Sequence, residues 1–140
     1  MHKTHLYAHA LWAVRQKQPL LTRTVRVVLY AHLIKYGEER GLRVMHAGGA
    51  ADHMHVLIHL HAAQNLAQMV RQLKAESSEW LNATRLLNAP FVWEDDYSAW
   101  SVSPTVLRQV MEYFDKQEEY HRTRTLDQEL EQFARLQTGQ

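Results

Sequence analysis

The segment Asp52-His53-Met54-His55-Val56-Leu57-Ile58-His59-Leu60-His61 sets imidazoles at alternate positions of an apolar run. Strand side chains alternate between faces, so His53, His55, Leu57 and His59 share one side and Met54, Val56, Ile58 and Leu60 share the core side. Two histidines two residues apart sit roughly 7 Å apart at their Cα atoms, twice the strand rise. Their ring nitrogens can converge on one ion, and histidine is the commonest metal ligand. A second group lies about sixty residues on. Tyr113 and Gln117 are four apart and share a helical face, which Tyr120 and His121 extend by a turn. A phenol can act as a nucleophile. It attacks phosphorus well only when the phosphate charge is neutralised, as a metal ion does. Gln117 offers an amide oxygen as a third, neutral ligand.

Three chemistries built on His-x-His fail against the residues. A histidine-triad nucleotide hydrolase needs a third histidine where Leu57 stands. A metallo-β-lactamase-like site needs His-x-His-x-Asp-His, which Leu57-Ile58 breaks. A two-histidine phosphodiesterase places a His-x-Ser/Thr motif on its strands, and the histidine strand from His53 to His61 contains none. A strand carrying His-hydrophobic-His remains.

The elements that must position these residues can be read from periodicity and caps. Residues 6–14 form a largely buried strand, followed by a polar turn over 15–19. Thr22 or Thr24 caps a helix running to about Arg40, with Val25, Val28, Leu29, Leu33 and Tyr36 at helical spacing and Gly41 as its C-terminal cap. Residues 42–47 make a second strand, 48–52 a turn, and His53 to Leu60 a third strand paired with the second. Asn65 caps a helix from Leu66 to about Asn82, whose buried face is Leu66, Met69, Val70, Leu73, Ser77, Trp80 and Leu81. Phe91-Val92-Trp93 reads as a fourth strand. Ser103 and Pro104 start a third helix running to about Glu119 or His121, and Thr125 with Gln128 forms a capping box before a last helix over 126–136. The order predicts an α+β fold, a ferredoxin-like antiparallel sheet of β-α-β-β-α-β with helices on one face and a C-terminal helix carrying the tyrosine.

Composition narrows the rest. A chain of 140 residues fits one domain spanning 1–140, and without cysteine it has no disulfide, thiolate ligand or thiol nucleophile. No apolar run approaches the roughly 20 residues of a membrane span, and the N-terminus does not read as a signal peptide, so a cytoplasmic protein with no membrane partner is expected. The net charge of +1 conceals unlike halves: residues 1–51 hold 8 basic and 2 acidic side chains, and residues 52–140 hold 8 and 13. A basic half can attract phosphate backbones.

Taken together, these segments resemble the single-tyrosine HUH transposases of the insertion-sequence-200 type, over roughly residues 5–136. Asp52-His53-Met54-His55-Val56-Leu57-Ile58 is similar to that family's histidine strand, and Tyr113-Phe114-Asp115-Lys116-Gln117 to its Tyr-x-x-x-Gln helix. Trp93 to Ser103, Lys74 with Ser77 and Ser78, and Gln117 to His121 followed by Thr125-Leu126 and Glu129 resemble further family segments. Glu94, Asp96 and Tyr120 depart from the usual pattern. The resemblance implies an enzyme that cuts and rejoins single-stranded DNA at hairpin ends. Tyr113 would be the nucleophile, forming a 5′-phosphotyrosine and freeing a 3′-OH. His53, His55 and Gln117 would hold one divalent ion, Mg²⁺ or Mn²⁺. Lys74 and Arg71, with Arg15 and Lys17 as weaker candidates, would contact DNA, and the protein would be a homodimer. A domesticated relative that processes repetitive hairpin elements, or a binding module without catalysis, are the alternatives. His9 matches a family histidine and is given no chemistry.

Overall fold

The computed structural model describes residues 3–121 and 125–138. Four strands, β1 (Leu6–Ala13), β2 (Arg43–Ala50), β3 (His53–Leu60) and β4 (Ser98–Val102), form one sheet in the order β2-β3-β1-β4. Every neighbouring pair is antiparallel, as the ferredoxin-like reading requires. Helix α1 (Arg23–Arg40) connects β1 to β2, and α2 (Leu66–Thr84) connects β3 to β4. After β4 come α3 (Leu107–Asp115), the short α4 (Gln117–Tyr120) and α5 (Leu126–Thr138). No helix among the described residues is long and apolar enough to cross a membrane.

Local signals set the helix ends. Thr22 accepts a hydrogen bond from the Val25 amide and is the α1 cap, and Gly41 closes that helix at φ 72°, where a Cβ would be strained. Asn65 caps α2 through the Gln68 amide at 3.2 Å. The Thr125–Gln128 capping box is formed in both directions, at 2.9 and 3.1 Å.

Three expectations need correction. The fourth strand is Ser98–Val102; Phe91-Val92-Trp93 contributes only an isolated bridge between Trp93 and Val14. Phe91 and Trp93 are apolar because they fill the core, not because they pair. The sheet is also covered on both faces. On one side α1 and α2 bury Trp12, Leu29, Leu33, Met54, Val56, Ile58, Leu73 and Leu81. On the other, Val110 and Phe114 of α3 pack on Leu57 and Val102. Leu57 interrupts the histidine face with an apolar side chain, and α3 has an apolar stripe of its own. Joining them removes both from water, about 1.5–3 kcal/mol per large side chain.

The third helix is also shorter than its sequence pattern. It ends at Asp115; Lys116 adopts φ −100°, ψ 17°, and Gln117 starts α4. Gly48 in β2 permits this arrangement. A Cβ there would stand 2.5 Å from the Phe114 carbonyl oxygen and 2.6 Å from its Cβ, so the end of α3 can approach β2 only over a glycine.

Candidate active site

β3 delivers His53 and His55 to the face beneath α3 and α4, where both are buried. Each imidazole is oriented by a second group. His53 Nδ1 is 2.7 Å from Asp52 Oδ1, and His55 Nδ1 is 2.7 Å from His9 Nε2 of β1. With Nδ1–H of His53 assigned as donor to the carboxylate, the His53 Nε2 lone pair turns toward the site interior. The bond from His53 holds the Asp52 carboxyl below its usual range. Burial, then the neighbouring imidazole of His55, drives the His9 pKa well down, and burial likewise lowers that of His55. These rings are therefore kept neutral, the form in which imidazole ligates.

α4 and α5 close the site from above. Gln117 Oε1 lies 2.8 Å from His53 Nε2 and 3.2 Å from His121 Nε2. Glu129 reaches in from α5, fully buried. Its Oε1 is 3.1 Å from His121 Nε2, 3.5 Å from His55 Nε2 and 3.7 Å from His53 Nε2. The Tyr113 hydroxyl donates to Glu129 Oε2. Burial opposes the Glu129 charge, but the bond from His121, the neighbouring His55 imidazole and the bond from Tyr113 outweigh it and hold the carboxyl far below its ordinary range. Burial, then the bond to Glu129 and its charge, pushes the Tyr113 phenol far up, so the hydroxyl keeps its proton in this arrangement.

The donor set suits a divalent cation. His53, His55 and Glu129 each offer a ligand atom, all within 4.8 Å of one another. His55 Nε2 is buried without a hydrogen-bond partner and looks toward the carboxylate. His53 Nε2 and the Gln117 amide oxygen, 2.8 Å apart, stand beside it as further nitrogen and oxygen donors. Nitrogen and oxygen donors with one negative charge exclude a soft thiophilic site.

The sequence reading placed Tyr113, His53, His55 and Gln117 in one site, and the structure brings the four together. It did not single out Glu129, Asp52, His9 or His121 for a role. The β1–β3 pairing gives the signal for His9: Leu11 pairs with His55 and His9 with Leu57, so His9 stands on the histidine face. Glu129 lies in a segment that resembles a family segment, but nothing local indicates its contact with β3; only the fold carries α5 there. The four basic candidates lie apart from the cluster. Lys74 Nζ donates to the carbonyls of Glu94 and Asp96, at 2.6 and 3.2 Å, and so ties down the loop before β4. Burial lowers its pKa. Lys17 pairs with Asp127 of α5 at 3.4 Å. Arg15 and Arg71 are exposed and make no side-chain ion pair among the described residues.

Comparison with known proteins agrees with this geometry. A family model described as "Transposase IS200 like" matches residues 2–117. That span holds His53, His55, Tyr113 and Gln117 and stops short of His121 and Glu129. Among solved structures, a candidate transposase from Deinococcus radiodurans R1 superposes with a TM-score of 0.66 at 22% identity, over 83% of this chain and 93% of the other. A REP-associated tyrosine transposase bound to a REP hairpin superposes with a TM-score of 0.61 at 15% identity, over 86% and 73%. At those identities the likeness is one of fold. No curated protein matches the chain. With its matched span covering both the histidine strand and the tyrosine helix, the chain belongs to the IS200-like transposase family.

Proposed function

We infer that this protein cuts and rejoins single-stranded DNA through a 5′-phosphotyrosine at Tyr113. The observation that carries the reading is the convergence of the Tyr113 hydroxyl with His53, His55 and Glu129 around one point. In the reaction the Tyr113 oxygen bonds to the scissile phosphorus and the bond from phosphorus to the 3′ oxygen breaks. The 5′ side remains on the enzyme and the 3′ side leaves as a hydroxyl. Attack by another 3′-OH reverses the chemistry and joins new ends, because the phosphotyrosine retains the energy of the phosphodiester.

His53, His55 and Gln117, together with Glu129, would hold one Mg²⁺ or Mn²⁺. Such an ion, when bound, acts as a Lewis acid on the phosphate and on the departing oxygen. The chain's own residues do the positioning. Asp52 and His9 fix the two imidazoles through their Nδ1 atoms. Glu129 orients the phenol by accepting its hydrogen bond. His121 supports that carboxylate at 3.1 Å.

DNA would approach as a single strand with a hairpin, a partner of the kind found with the REP-associated neighbour. Arg15 and Arg71 offer exposed cations, with Lys17 available once parted from Asp127 and Lys74 contributing through the loop it holds. The acting form is a cytoplasmic homodimer of single-domain chains. Hairpin processing by a domesticated relative uses the same chemistry, and flanking hairpin DNA distinguishes it from transposition. The test is incubation of the protein with labelled single-stranded hairpin DNA and Mn²⁺ or Mg²⁺. A covalent adduct that disappears in Tyr113→Phe is expected; an adduct that persists in that variant overturns the assignment.

A further inference from the structure

A cleft of about 340 Å³ lies beside the histidine site, its polar lining supplied by Arg23, Arg26 and Tyr30 of α1 and Glu118 of α4, with Gly48 and Gly49 of β2 at its floor. Two guanidinium groups converge there on one carboxylate. Arg23 Nη2 donates to Glu118 Oε2 at 2.5 Å, and Arg26 Nη2 donates to the other oxygen. Arg26 is aimed rigidly. Its side chain is buried, and its Nη1 donates to the Leu21 carbonyl at 2.7 Å. Tyr30 supplies a third donor. Its hydroxyl is buried without a hydrogen-bond partner among the described residues, and burial keeps the phenol protonated.

Ion pairing between α1 and α4 accounts for the two arginines but leaves that hydroxyl unserved, which is costly for a buried donor. Both Glu118 oxygens are already taken by the guanidinium groups. A phosphate presents more acceptor sites around a tetrahedral centre, and arginine's planar fork matches phosphate geometry. The other acid at the cleft, Asp115, is bonded to His46 Nε2 at 2.7 Å. The cleft also adjoins the histidine site. Gly48 and Ala50 pair with His55 and His53, and Glu118 directly follows Gln117.

We propose that Arg23, Arg26 and Tyr30 form a phosphate-binding site for the DNA backbone, held in this structure by the chain's own Glu118 carboxylate, which a phosphate displaces. The choice of DNA as the phosphate source rests on the proposed function; the site itself rests on the cleft. It gives the basic N-terminal half a phosphate contact beside those offered by Arg15 and Lys17.

The experiment compares wild type, Glu118→Gln and Glu118→Gln/Arg23→Ala by fluorescence anisotropy with a single-stranded hairpin oligonucleotide across a salt series. Glutamine removes the competing charge and keeps the size. The expected result is tighter binding by Glu118→Gln at low salt, with the slope of log K against log salt steeper by about 0.7, one single-strand phosphate, and both changes undone by Arg23→Ala. Unchanged or weaker binding with an unchanged slope, or no effect of Arg23→Ala in that background, overturns the proposal. The wild-type protein is assayed in parallel for the Tyr113 adduct. If no adduct and no DNA binding are seen, the functional reading fails and inorganic phosphate decides the site. A larger phosphate-dependent rise in Tm for Glu118→Gln than for wild type upholds it, and equal rises overturn it.

Discussion

Glu129→Gln isolates the one negative charge in a donor set otherwise made of imidazoles and an amide. Glutamine keeps the shape; its one oxygen can accept from His121 while its amide N–H donates to the Tyr113 hydroxyl oxygen, so the fold is expected to survive. The charge is what changes. Glu129 Oε1 lies 3.5 Å from His55 Nε2 and 3.7 Å from His53 Nε2, so an ion on those nitrogens is a near neighbour of the carboxylate. Unit charges at about 4 Å interact by about 4 kcal/mol at an effective dielectric of 20, or about 8 kcal/mol for a dication. The carboxylate is already buried and ionised before metal binding, so its own desolvation is incurred on folding. The loss of cation hydration offsets much of the remainder. A surviving quarter, about 2 kcal/mol, weakens binding about 30-fold. Calorimetric titration with Mn²⁺ measures this directly, and a metal-free melt checks the fold. A Glu129→Gln affinity within about threefold of wild type, with an unaltered melt, refutes the reasoning that α5 supplies a ligand.

Other outcomes follow from the same geometry. His9→Phe removes the partner of His55 Nδ1 at 2.7 Å and is expected to weaken Mn²⁺ binding by about 10- to 100-fold; His9→Gln, which can still accept the bond, recovers part of that loss in the same titration. Gly48→Ala drives a Cβ into the Phe114 backbone at 2.5 Å and is expected to cost about 1–3 kcal/mol, read as a lower Tm and weaker metal binding as α3 and α4 shift. Asp52 has a folded pKa below its unfolded value, so its stabilisation is present above about pH 4 and lost as pH falls through the folded pKa. The Tm difference between wild type and Asp52→Asn is therefore expected at neutral pH and to shrink below about pH 4; a difference that grows on acidification contradicts the His53–Asp52 bond.

The histidine strand was readable because its two faces differ in kind. Met54, Val56 and Ile58 fill the core under α1 and α2, while His53 and His55 face α3 and α4. The helix caps at Thr22, Asn65 and Thr125 were readable because capping is local chemistry. The fourth strand was not. Ser98–Val102 (Ser-Ala-Trp-Ser-Val) is only five residues long with two serines and follows an acidic stretch, so it reads as a loop, whereas Phe91 and Trp93 look like a strand yet serve the core, with Trp93 Nε1 donating to the buried Ser77 hydroxyl at 2.8 Å. Lys74 looked like a free cation on a helix, but the loop that accepts its protons is 20 residues away in sequence. Glu129 illustrates the limit most clearly. It lies outside the span matched by the family model, and only the return of α5 over the sheet brings its carboxylate to His55.

The central claim is that Tyr113 becomes covalently attached to DNA. The direct measurement is mass spectrometry of the protein after reaction with single-stranded hairpin DNA carrying its native flanks, in the presence of Mn²⁺ or Mg²⁺. The account predicts a nucleotide joined by its 5′-phosphate to Tyr113, absent in Tyr113→Phe and reduced in His53→Ala and His55→Ala. Attachment at another residue, such as Tyr120, or cleaved DNA with no protein adduct at any time, would contradict it.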